Sequence, residues 1–243
     1  MTSLIAYWNI LKKDVKYYYL KPPNISWGII FPLSWTLMQL IRSPGGSILE
    51  LLPGLISMSV LFGTTSMLAV TITFERSDRS FERLLLAPIS LHTMVLAKIS
   101  GAIVFGILNA FVPVFFASFF VHLHEVDWKL VLPAVLMIAV TSTLLGLLIA
   151  VTAKQVFEAQ TFSNLFRFPM LFLSGLFIPI KDLPRFLQPI AYCIPLTYGT
   201  DVIKGAFIGA NVLSPMLSFG ALSAFAIGLF IISLKNIHKK WIL

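Results

Sequence analysis

The sequence predicts an all-α integral membrane protein with six transmembrane helices, for two reasons. Of the 243 residues, 58% are hydrophobic and 12% are charged, whereas about a quarter of the residues in soluble domains are charged. The chain also contains six apolar stretches long enough to cross the hydrocarbon core, which takes roughly 17–25 residues in a helix. These predicted spans are residues 25–41, 51–74, 99–121, 130–153, 159–180 and 212–234. We therefore expect one membrane domain over residues 1–243, with no soluble domain attached.

The distribution of lysine and arginine predicts how these spans are oriented. Six spans place both chain ends on one face, and that face carries 12 Lys and Arg residues against 5 on the other. The positive-inside rule assigns the richer face to the cytoplasm. We therefore expect a multi-pass protein of the cell membrane with both termini in the cytoplasm. Because the net charge of +8 is spread over short clusters between spans, we expect no nucleic-acid partner.

Sequence patterns that would supply energy or catalysis are absent. There is no Gly-x-x-x-x-Gly-Lys-Ser/Thr phosphate loop, and no metalloprotease or hydrolase motif. None of the ten Asp and Glu residues lies in the middle of a predicted span, where proton-coupled carriers usually need an ionisable relay. We expect no enzyme active site and no bound cofactor on this chain, so that a partner supplies the energy for any pumping. A sodium-coupled secondary carrier stays open, since hydroxyl and carbonyl oxygens bind sodium without carboxylates.

Few residues have metal-binding or redox chemistry. His122 and His124 lie near Glu125 and Asp127, but the short loop offers no third clustered histidine. We expect these histidines to be interfacial polar residues and no metal to bind there. The single Cys193 excludes a disulfide within the chain.

Residues 1–22 predict an amphipathic helix that lies in the plane of the membrane interface. Leu4, Trp8 and Leu11 recur at helical spacing on one side, and lysines such as Lys13 occupy another side. Two prolines end this segment before the first span. The pattern fits both a basic anchor that only orients the chain and a helix with a mechanical role.

Residues 75–90 form a charged loop after the second span and predict a short helix. We expect it to be capped near Ser77 or Asp78 and stopped by the following proline. This spacing gives the helix one apolar side and one charged side. The pattern fits a docking site for a partner, and it also fits a solvated loop that enforces topology. The apolar side carries Phe81, Leu84 and Leu85, and the other side Arg79, Glu82, Arg83 and Leu86.

Residues 181–209 are too apolar for a free external loop and predict two short helices. We expect Asp182 to cap the first helix, a break at Pro195 and a restart at Thr197. Leu183, Phe186, Leu187 and Ile190 would form the apolar stripe of the first helix. The pattern fits helices that dip into the outer leaflet, and equally helices that lie flat on it.

The fifth predicted span carries a polar stripe formed by Gln160, Asn164 and Arg167 at helical spacing. Arg167 lies nine residues beyond Glu158, roughly 13 Å along a helix and near the middle of the membrane. An exposed arginine at that depth costs at least about 2.5 kcal/mol, so we expect it to face protein or water. The stripe fits the lining of a transport path that attracts an anionic head group. It also fits an arginine that snorkels to the interface or pairs with Glu158.

Two of these segments resemble the permease subunits of type-2 ATP-binding-cassette exporters, which include drug, lipid and polysaccharide exporters. The first resembles the family's coupling helix, where a Glu-Arg pair is followed by a second Glu, leucines and a proline. In this chain these residues are Glu75, Arg76, Glu82, Leu84, Leu85 and Pro88. The second resembles the family's Phe-Leu-Ser-Gly-x-Phe-x-Pro, Leu-Pro and Pro-Leu-Thr-Tyr motifs, found at Phe172–Pro179, Leu183–Pro184 and Pro195–Tyr198. The resemblance covers nearly the whole chain.

The resemblance implies a single permease domain in which residues 1–22 are an interfacial connecting helix and residues 75–90 contain the coupling helix. It further implies two permease copies around one path, and a separate ATPase subunit that binds ATP and Mg²⁺. The cargo would be an amphipathic or lipid-like substrate, such as a drug, lipid or glycan, moved out of the cytoplasm. The implied coupling residues are Glu75, Arg76, Asp78, Arg79, Phe81, Glu82, Arg83, Leu84, Leu85 and Pro88. The implied re-entrant region carries Pro179, Leu183, Pro184, Phe186, Pro195, Thr197 and Tyr198.

One position departs from the family pattern. Between the two Glu residues the family often carries Gly-Thr, whereas this chain has Arg79-Ser80. Because an arginine replaces a residue without a side chain, the docking geometry is not fixed by the resemblance. A membrane scaffold that docks a protein here without transporting anything also stays open.

Overall fold

The computed structural model describes residues 2–19, 25–42, 48–87, 89–237 and 239, and this part of the chain is helical with no strand. Pi-helical turns at Val15–Tyr19 and Ser26–Ile30 and a 3-10 turn at Ile180–Asp182 supplement the α-helices. The α-helices are α1 (Thr2–Asp14), α2 (Phe31–Arg42), α3 (Ile48–Ser77), α4 (Ser80–Leu86), α5 (Leu91–Ala117), α6 (Trp128–Thr152), α7 (Val156–Leu173), α8 (Gln188–Tyr192), α9 (Pro195–Ile208) and α10 (Pro215–Ile237).

Four helices within the described residues are long and apolar enough to cross a membrane, namely α3, α5, α6 and α10. The shortest of them, α10, has 23 residues and is roughly 35 Å long at 1.5 Å per residue. These helices correspond to the predicted second, third, fourth and sixth spans. The predicted first and fifth spans fall on α2, together with the turn before it, and on α7. The fifth was predicted to reach residue 180, but α7 ends at Leu173.

Helix α3 is the centre of the bundle, and it contacts α5, α6, α7 and α9. Every residue from Leu52 to Thr73 is buried. Small and hydroxyl residues let its neighbours approach closely. A Cβ added at Gly146 of α6, for example, would lie 2.6 Å from the Thr65 carbonyl oxygen. Some hydroxyls of α3 bond within the helix, as Thr64 does by donating to the Val60 carbonyl at 2.8 Å, and Thr65 donates to the Ser142 carbonyl of α6 at 3.3 Å.

Near its middle, α3 is in close contact with α5 through one asparagine. The Asn109 side chain lies between Gly63 of α3 and Gly28 of the turn before α2. A Cβ at Gly63 would be 2.7 Å from Asn109 Nδ2, and a Cβ at Gly28 would be 3.2 Å from the same atom. A side chain at Gly63 would therefore require the Asn109 side chain to shift, whereas one at Gly28 would make a tight contact.

The two ends of the bundle are built differently. At one end, α1 and α4 pack on the ends of α3, α5 and α6 around a cluster of apolar side chains. At the other end, α8, α9 and the segment after α7 cover the first turns of α3. From Leu51 to Glu75 the helix α3 rises roughly 36 Å, so it connects the two ends.

Candidate functional site

Helix α4 follows α3 after a sharp turn at Asp78 and Arg79. Arg79 adopts the left-handed backbone conformation, with φ of 53°, which glycine adopts without cost and other residues rarely do. The Ser80 hydroxyl donates to the Glu75 carbonyl at 3.2 Å, which holds the turn closed. The helix begins at Ser80 without a side-chain cap, so the expected cap near Ser77 or Asp78 is wrong. Pro88, the predicted stop, lies outside the described residues.

The apolar side of α4 faces its own chain. Phe81 is only 3% exposed and belongs to the apolar cluster that contains Ile10 of α1 and Met94 of α5, with Leu84 packed against it. The backbone of Leu85 is helical, while its side chain lies outside the described residues. The sequence pattern alone suggested that the apolar side of α4 is an exposed docking surface. In the structure, Phe81 and Leu84 of this side instead pack against the rest of the chain. This side attaches α4 to the bundle.

The opposite side of α4 and the turn before it are exposed. This surface, which we call the α4 outer face, combines both signs of charge with one apolar side chain. Leu86 is 86% exposed at the end of the helix. A partner that contacts this face therefore meets both signs of charge around Leu86. The α4 outer face consists of Asp78, Arg79, Glu82, Arg83 and Leu86.

Four charged side chains meet beside α4 in what we call the ionic cluster. Lys98 of α5 lies 2.7 Å from Glu75 Oε2 and 3.0 Å from Asp14 Oδ2, and Lys13 pairs with Glu75 as well. Glu75 is fully buried, and Asp14 and Lys98 are nearly so. The cluster joins α1, α3 and α5, so Glu75 acts inside the chain and is not on the α4 outer face. Its partners were not recognised from the sequence, because they lie far from Glu75 along the chain.

Burial and ion pairing shift the pKa values of groups in α1. Burial raises the pKa of the Asp14 carboxyl above its usual range, although the Lys98 ammonium opposes this shift. Burial disfavours the charge on Lys13, but the Glu75 carboxylate more than compensates, and the pKa of Lys13 is raised. The Lys13 ammonium is therefore favoured by the folded state.

Arg76 also acts within the chain. Its guanidinium donates to the Ala153 carbonyl at 3.0 Å and to the Ala150 carbonyl at 3.3 Å. These carbonyls belong to the end of α6, where a helix lacks internal hydrogen-bond donors and favours a positive charge. Arg76 thus ties α3 to α6 at the same end as the ionic cluster.

The polar stripe of α7 faces α3. Arg167 is fully buried, and its guanidinium donates to the Ser163 carbonyl at 3.1 Å and to the Ser66 hydroxyl. The guanidinium carbon also lies 4.8 Å from the centre of the Phe62 ring, a cation–π contact. Gln160 and Asn164 are half-buried on the same side.

The position of Arg167 in the structure can be compared with the alternatives that the sequence left open. The side chain does not snorkel, and it does not pair with Glu158, whose carboxylate accepts the Lys154 backbone N–H at 2.6 Å. Within the described residues Arg167 forms no ion pair, and its Nη1 has no hydrogen-bond partner. In this conformation Arg167 is enclosed between α3 and α7, and it does not line an open path.

At the other end, residues 181–209 contain two short helices whose limits differ from those expected. Asp182 ends a 3-10 turn and does not cap a helix, and α8 begins only at Gln188. Pro184 and Phe186 are exposed, whereas Leu183 is buried. An apolar stripe over 183–190 therefore does not form on one helix.

The second helix of this region, α9, begins at Pro195, two residues before the expected restart. Its first turn is tied to α8, because the Thr197 hydroxyl donates to the Ala191 carbonyl at 2.5 Å and the Tyr198 hydroxyl donates to the Tyr192 carbonyl at 2.8 Å. Pro179, before the 3-10 turn, borders a cavity of about 590 Å³ beneath these helices. The region is thus an ordered cover over the end of the bundle.

Within the described residues, no group of three or more His, Cys, Asp or Glu side chains is arranged to hold a metal ion. His122 and His124 are both exposed.

A helical bundle whose described residues include four helices long and apolar enough to cross a membrane, with a short charged helix at one end and a helical cover at the other, is that of an integral membrane protein. The chain belongs to the ABC-2 type transporter family, whose sequence profile matches residues 6–208. It is therefore a membrane transport permease subunit, and permeases of this family work with an ATPase partner.

The chain is also similar to individual members of this family. It is 28% identical over 193 residues to the inner membrane transport permease YadH of Escherichia coli K12, covering 78% of this chain and 74% of that protein. It is 23% identical over 188 residues to nodulation protein J of Rhizobium meliloti, covering 77% and 72%. Nodulation protein J of Neorhizobium galegae is 23% identical over 214 residues, covering 87% of this chain and 82% of that protein.

Proposed function

We propose that this chain is the permease subunit of an exporter that a separate ATPase energises through the α4 outer face. The observation that carries this proposal is the double attachment of α4: Phe81 is buried in the bundle and Ser80 is bonded to the end of α3. A displacement applied to the outer face is therefore passed to α3, the central helix. ATP and Mg²⁺ would be bound by the ATPase, since this chain has no phosphate loop.

The proposal includes six spans with both termini in the cytoplasm. The turn before α2 together with α2, and α7, would cross as the first and fifth spans beside the four longer helices. The lysine- and arginine-rich face supports a cytoplasmic location for α1, α4 and the ionic cluster. Residues 1–22 would then be the connecting helix, attached to the spans by Lys13 and Asp14.

The proposed transport path runs between two permease copies. The exposed side of α7 is apolar, with Leu165, Phe166 and Phe172 at the surface, while its polar stripe faces α3. Separation of α3 from α7 would uncover Gln160, Asn164 and Arg167 to an amphipathic or lipid-like substrate, such as a drug, lipid or glycan. Two arrangements of packed helices, biased by the ATPase, are the physical basis of such a switch.

A charge-reversal experiment tests the role of the α4 outer face. The cognate ATPase should co-purify with the wild-type permease from detergent-solubilised membranes. The double variant Glu82→Lys with Arg83→Glu should reduce this capture by roughly tenfold or more, because truncating or reversing paired interface charges costs several kcal/mol. The matched control reverses two exposed charges at the other end, Asp182→Lys with Arg185→Glu, and should capture the ATPase normally.

Two outcomes would contradict the proposal. Equal capture by both double variants would remove the α4 outer face from the interface. Transport by the reconstituted protein that needs a sodium gradient and continues without ATP would show a secondary carrier instead.

A further inference from the structure

The cavity under α8 and α9 has the size and lining of a binding site. Its volume of about 590 Å³ falls within the range of roughly 300–1,000 Å³ that is typical of ligand pockets. Its walls come from α2, the first turns of α3, the segment after α7, α8 and α9. It lies at the opposite end of α3 from the ionic cluster. The apolar part of the lining includes Trp35, Leu51, Leu55, Leu176 and Phe177.

Two buried polar groups in this lining have no hydrogen-bond partner among the described residues. They are the indole N–H of Trp35 and the hydroxyl of Ser174, a residue that is only 2% exposed. Buried donors are nearly always satisfied in folded proteins, because leaving one unpaired is costly. A ligand that brings acceptor oxygens into the cavity would satisfy both groups.

Two acidic and two basic side chains line the cavity, and one of each already forms hydrogen bonds within the chain. The Asp201 carboxylate accepts the backbone N–H groups of Val212 at 2.7 Å and of Leu213 at 3.0 Å, and Lys204 donates to the Gly175 carbonyl. Glu50 and Lys181 also line the cavity but are exposed, and within the described residues neither forms an ion pair. A ligand with one positive and one negative group would match these two side chains.

The surroundings of the cavity are apolar and exposed. Leu37, Met38 and Ile41 are exposed on α2, the helix that contributes Trp35, and Phe172 and Ile178 are exposed on either side of Phe177. Exposed apolar surface of this kind contacts lipid in a membrane protein. A molecule in the cavity can therefore extend a hydrocarbon chain along this surface.

We propose that this cavity binds the head group and glycerol region of a zwitterionic phospholipid from the adjacent membrane leaflet. The ammonium group meets Glu50, the phosphate meets Lys181, and ester or phosphate oxygens accept from Trp35 Nε1 and the Ser174 hydroxyl. The apolar wall formed by Trp35 and Phe177, whose rings lie 4.9 Å apart, holds the start of the acyl chain. This site is separate from the proposed path between permease copies.

Photo-cross-linking of lipid to the full-length chain tests this assignment. Because the experiment uses neither nucleotide nor ATPase, its result does not depend on the proposed transport function. The protein is reconstituted in phosphatidylglycerol vesicles that contain a small fraction of phosphatidylethanolamine with a photoreactive group near the glycerol. Cross-linked peptides are quantified by mass spectrometry. Peptides covering residues 48–55 and 174–181 should be labelled above those of α10, whose exposed side provides the background of ordinary lipid contact. Unlabelled phosphatidylethanolamine should compete, and additional phosphatidylglycerol should not.

Variants distinguish a loss of lipid binding in the cavity from a general loss of packing. Trp35→Phe keeps the ring but removes the N–H, and should lower cavity labelling by about fivefold, the effect of one hydrogen bond. Ser174→Ala should lower labelling similarly while leaving the lipid-free protein as stable as before. Glu50→Gln with Lys181→Gln should lower labelling by about fivefold. The matched control, Glu125→Gln with Lys129→Gln, neutralises exposed charges elsewhere at this end and should change nothing.

Three results would overturn the proposal. The first is labelling of the cavity peptides no higher than that of α10. The second is equal competition by phosphatidylglycerol, which would show that the lipid's zwitterionic character is not recognised. The third is unchanged labelling in Trp35→Phe and Ser174→Ala, which would mean that water satisfies these groups.

Discussion

Arg79 adopts a backbone conformation that is unfavourable for any residue with a side chain. The resemblance implied glycine at the position where this chain has arginine, and the backbone conformation of Arg79 is one that glycine adopts without strain. The position has φ of 53°, which suits glycine. The tight turn between α3 and α4 is thus retained with a residue that is strained in it.

Arg79→Gly should therefore stabilise the protein by about 1 kcal/mol, because the left-handed conformation costs a non-glycine residue roughly 1–2 kcal/mol. The same replacement within α4, Arg83→Gly, should destabilise it by about 1 kcal/mol, since glycine is unfavourable inside a helix. Thermal unfolding of the two variants in the same detergent measures both effects. A loss of stability in Arg79→Gly would show that the turn is not strained.

The ionic cluster could not be predicted from the sequence. Lys98 is 23 residues from Glu75 and 84 residues from Asp14 along the chain, and no spacing rule connects them. The available signal was the presence of ionisable residues at the edges of predicted spans, which the positive-inside rule explained by topology alone. Only the packing of α1, α3 and α5 brings these charges together.

Lys98→Met should destabilise the protein by about 3–5 kcal/mol, because it leaves the buried Glu75 and Asp14 carboxylates with one cation between them. Adding Glu75→Gln should recover part of this loss, since Lys13 and Asp14 then remain as a balanced pair. Chemical unfolding in detergent measures the difference. A double variant less stable than the single variant would contradict an ion-pair role for these residues.

The raised pKa of Lys13 makes its contribution depend on pH. Because the folded state holds the proton more tightly than the unfolded state, the stabilisation is fully present below the ordinary lysine value of 10.5 and is lost as the pH rises through the higher pKa of the folded state. The difference in unfolding temperature between wild type and Lys13→Gln should therefore shrink above about pH 10.5. Lys12→Gln, an exposed neighbour, is the control and should show no such change.

At the scale of elements, the sequence predicted the existence of α4 and its two-sided character, but not the direction in which its apolar side points. Amphipathic spacing reports that one side is apolar, and does not report whether the chain itself or a partner covers that side. In the structure α1 and α5 cover the apolar side of α4. The position of α1 depends on tertiary packing, which the sequence pattern does not report. The same limit applies to α7, whose polar stripe was predicted while its contact with α3 was not.

Truncating a side chain on the buried side of α4 should lower stability, whereas truncating one on the exposed side should lower capture of the ATPase. Phe81→Ala should cost about 3–5 kcal/mol of stability, since it removes a buried ring. Leu86→Ala should leave stability within about 0.5 kcal/mol of wild type and should lower capture of the ATPase. Thermal unfolding and co-purification measure the two properties. A destabilised Leu86→Ala variant, or one with normal capture, would contradict the outward role of this leucine.

At the scale of the whole molecule, hydropathy found the four long helices because their apolar runs exceed the hydrocarbon thickness. Their limits differ from the predicted spans by up to eight residues, as with α5, which begins at Leu91 and not at residue 99. The start of α5 extends over flanking residues that include His92 and Lys98, which a hydropathy criterion leaves out. The arrangement at the second end was less predictable, because its turns at 174–187 depend on contacts with α3 and α9.

Orientation is tested most directly by thiol labelling. In a Cys193→Ser background, which removes the exposed native thiol, Arg83→Cys should react with a membrane-impermeant maleimide only when the cytoplasmic face is accessible. Phe186→Cys, at the other end, should react from outside intact cells. The reverse pattern would place α4 outside the cell and would remove any role for a cytoplasmic ATPase.

The wedge of Asn109 against Gly63 has a mechanical consequence. Gly63 lies 12 residues from both Leu51 and Glu75 on α3, so the contact sits at the midpoint of the rod, roughly 18 Å from either end. If α3 tilts about this contact, its two ends move in opposite directions. A displacement beside the ionic cluster then widens or narrows the cavity at the other end of α3.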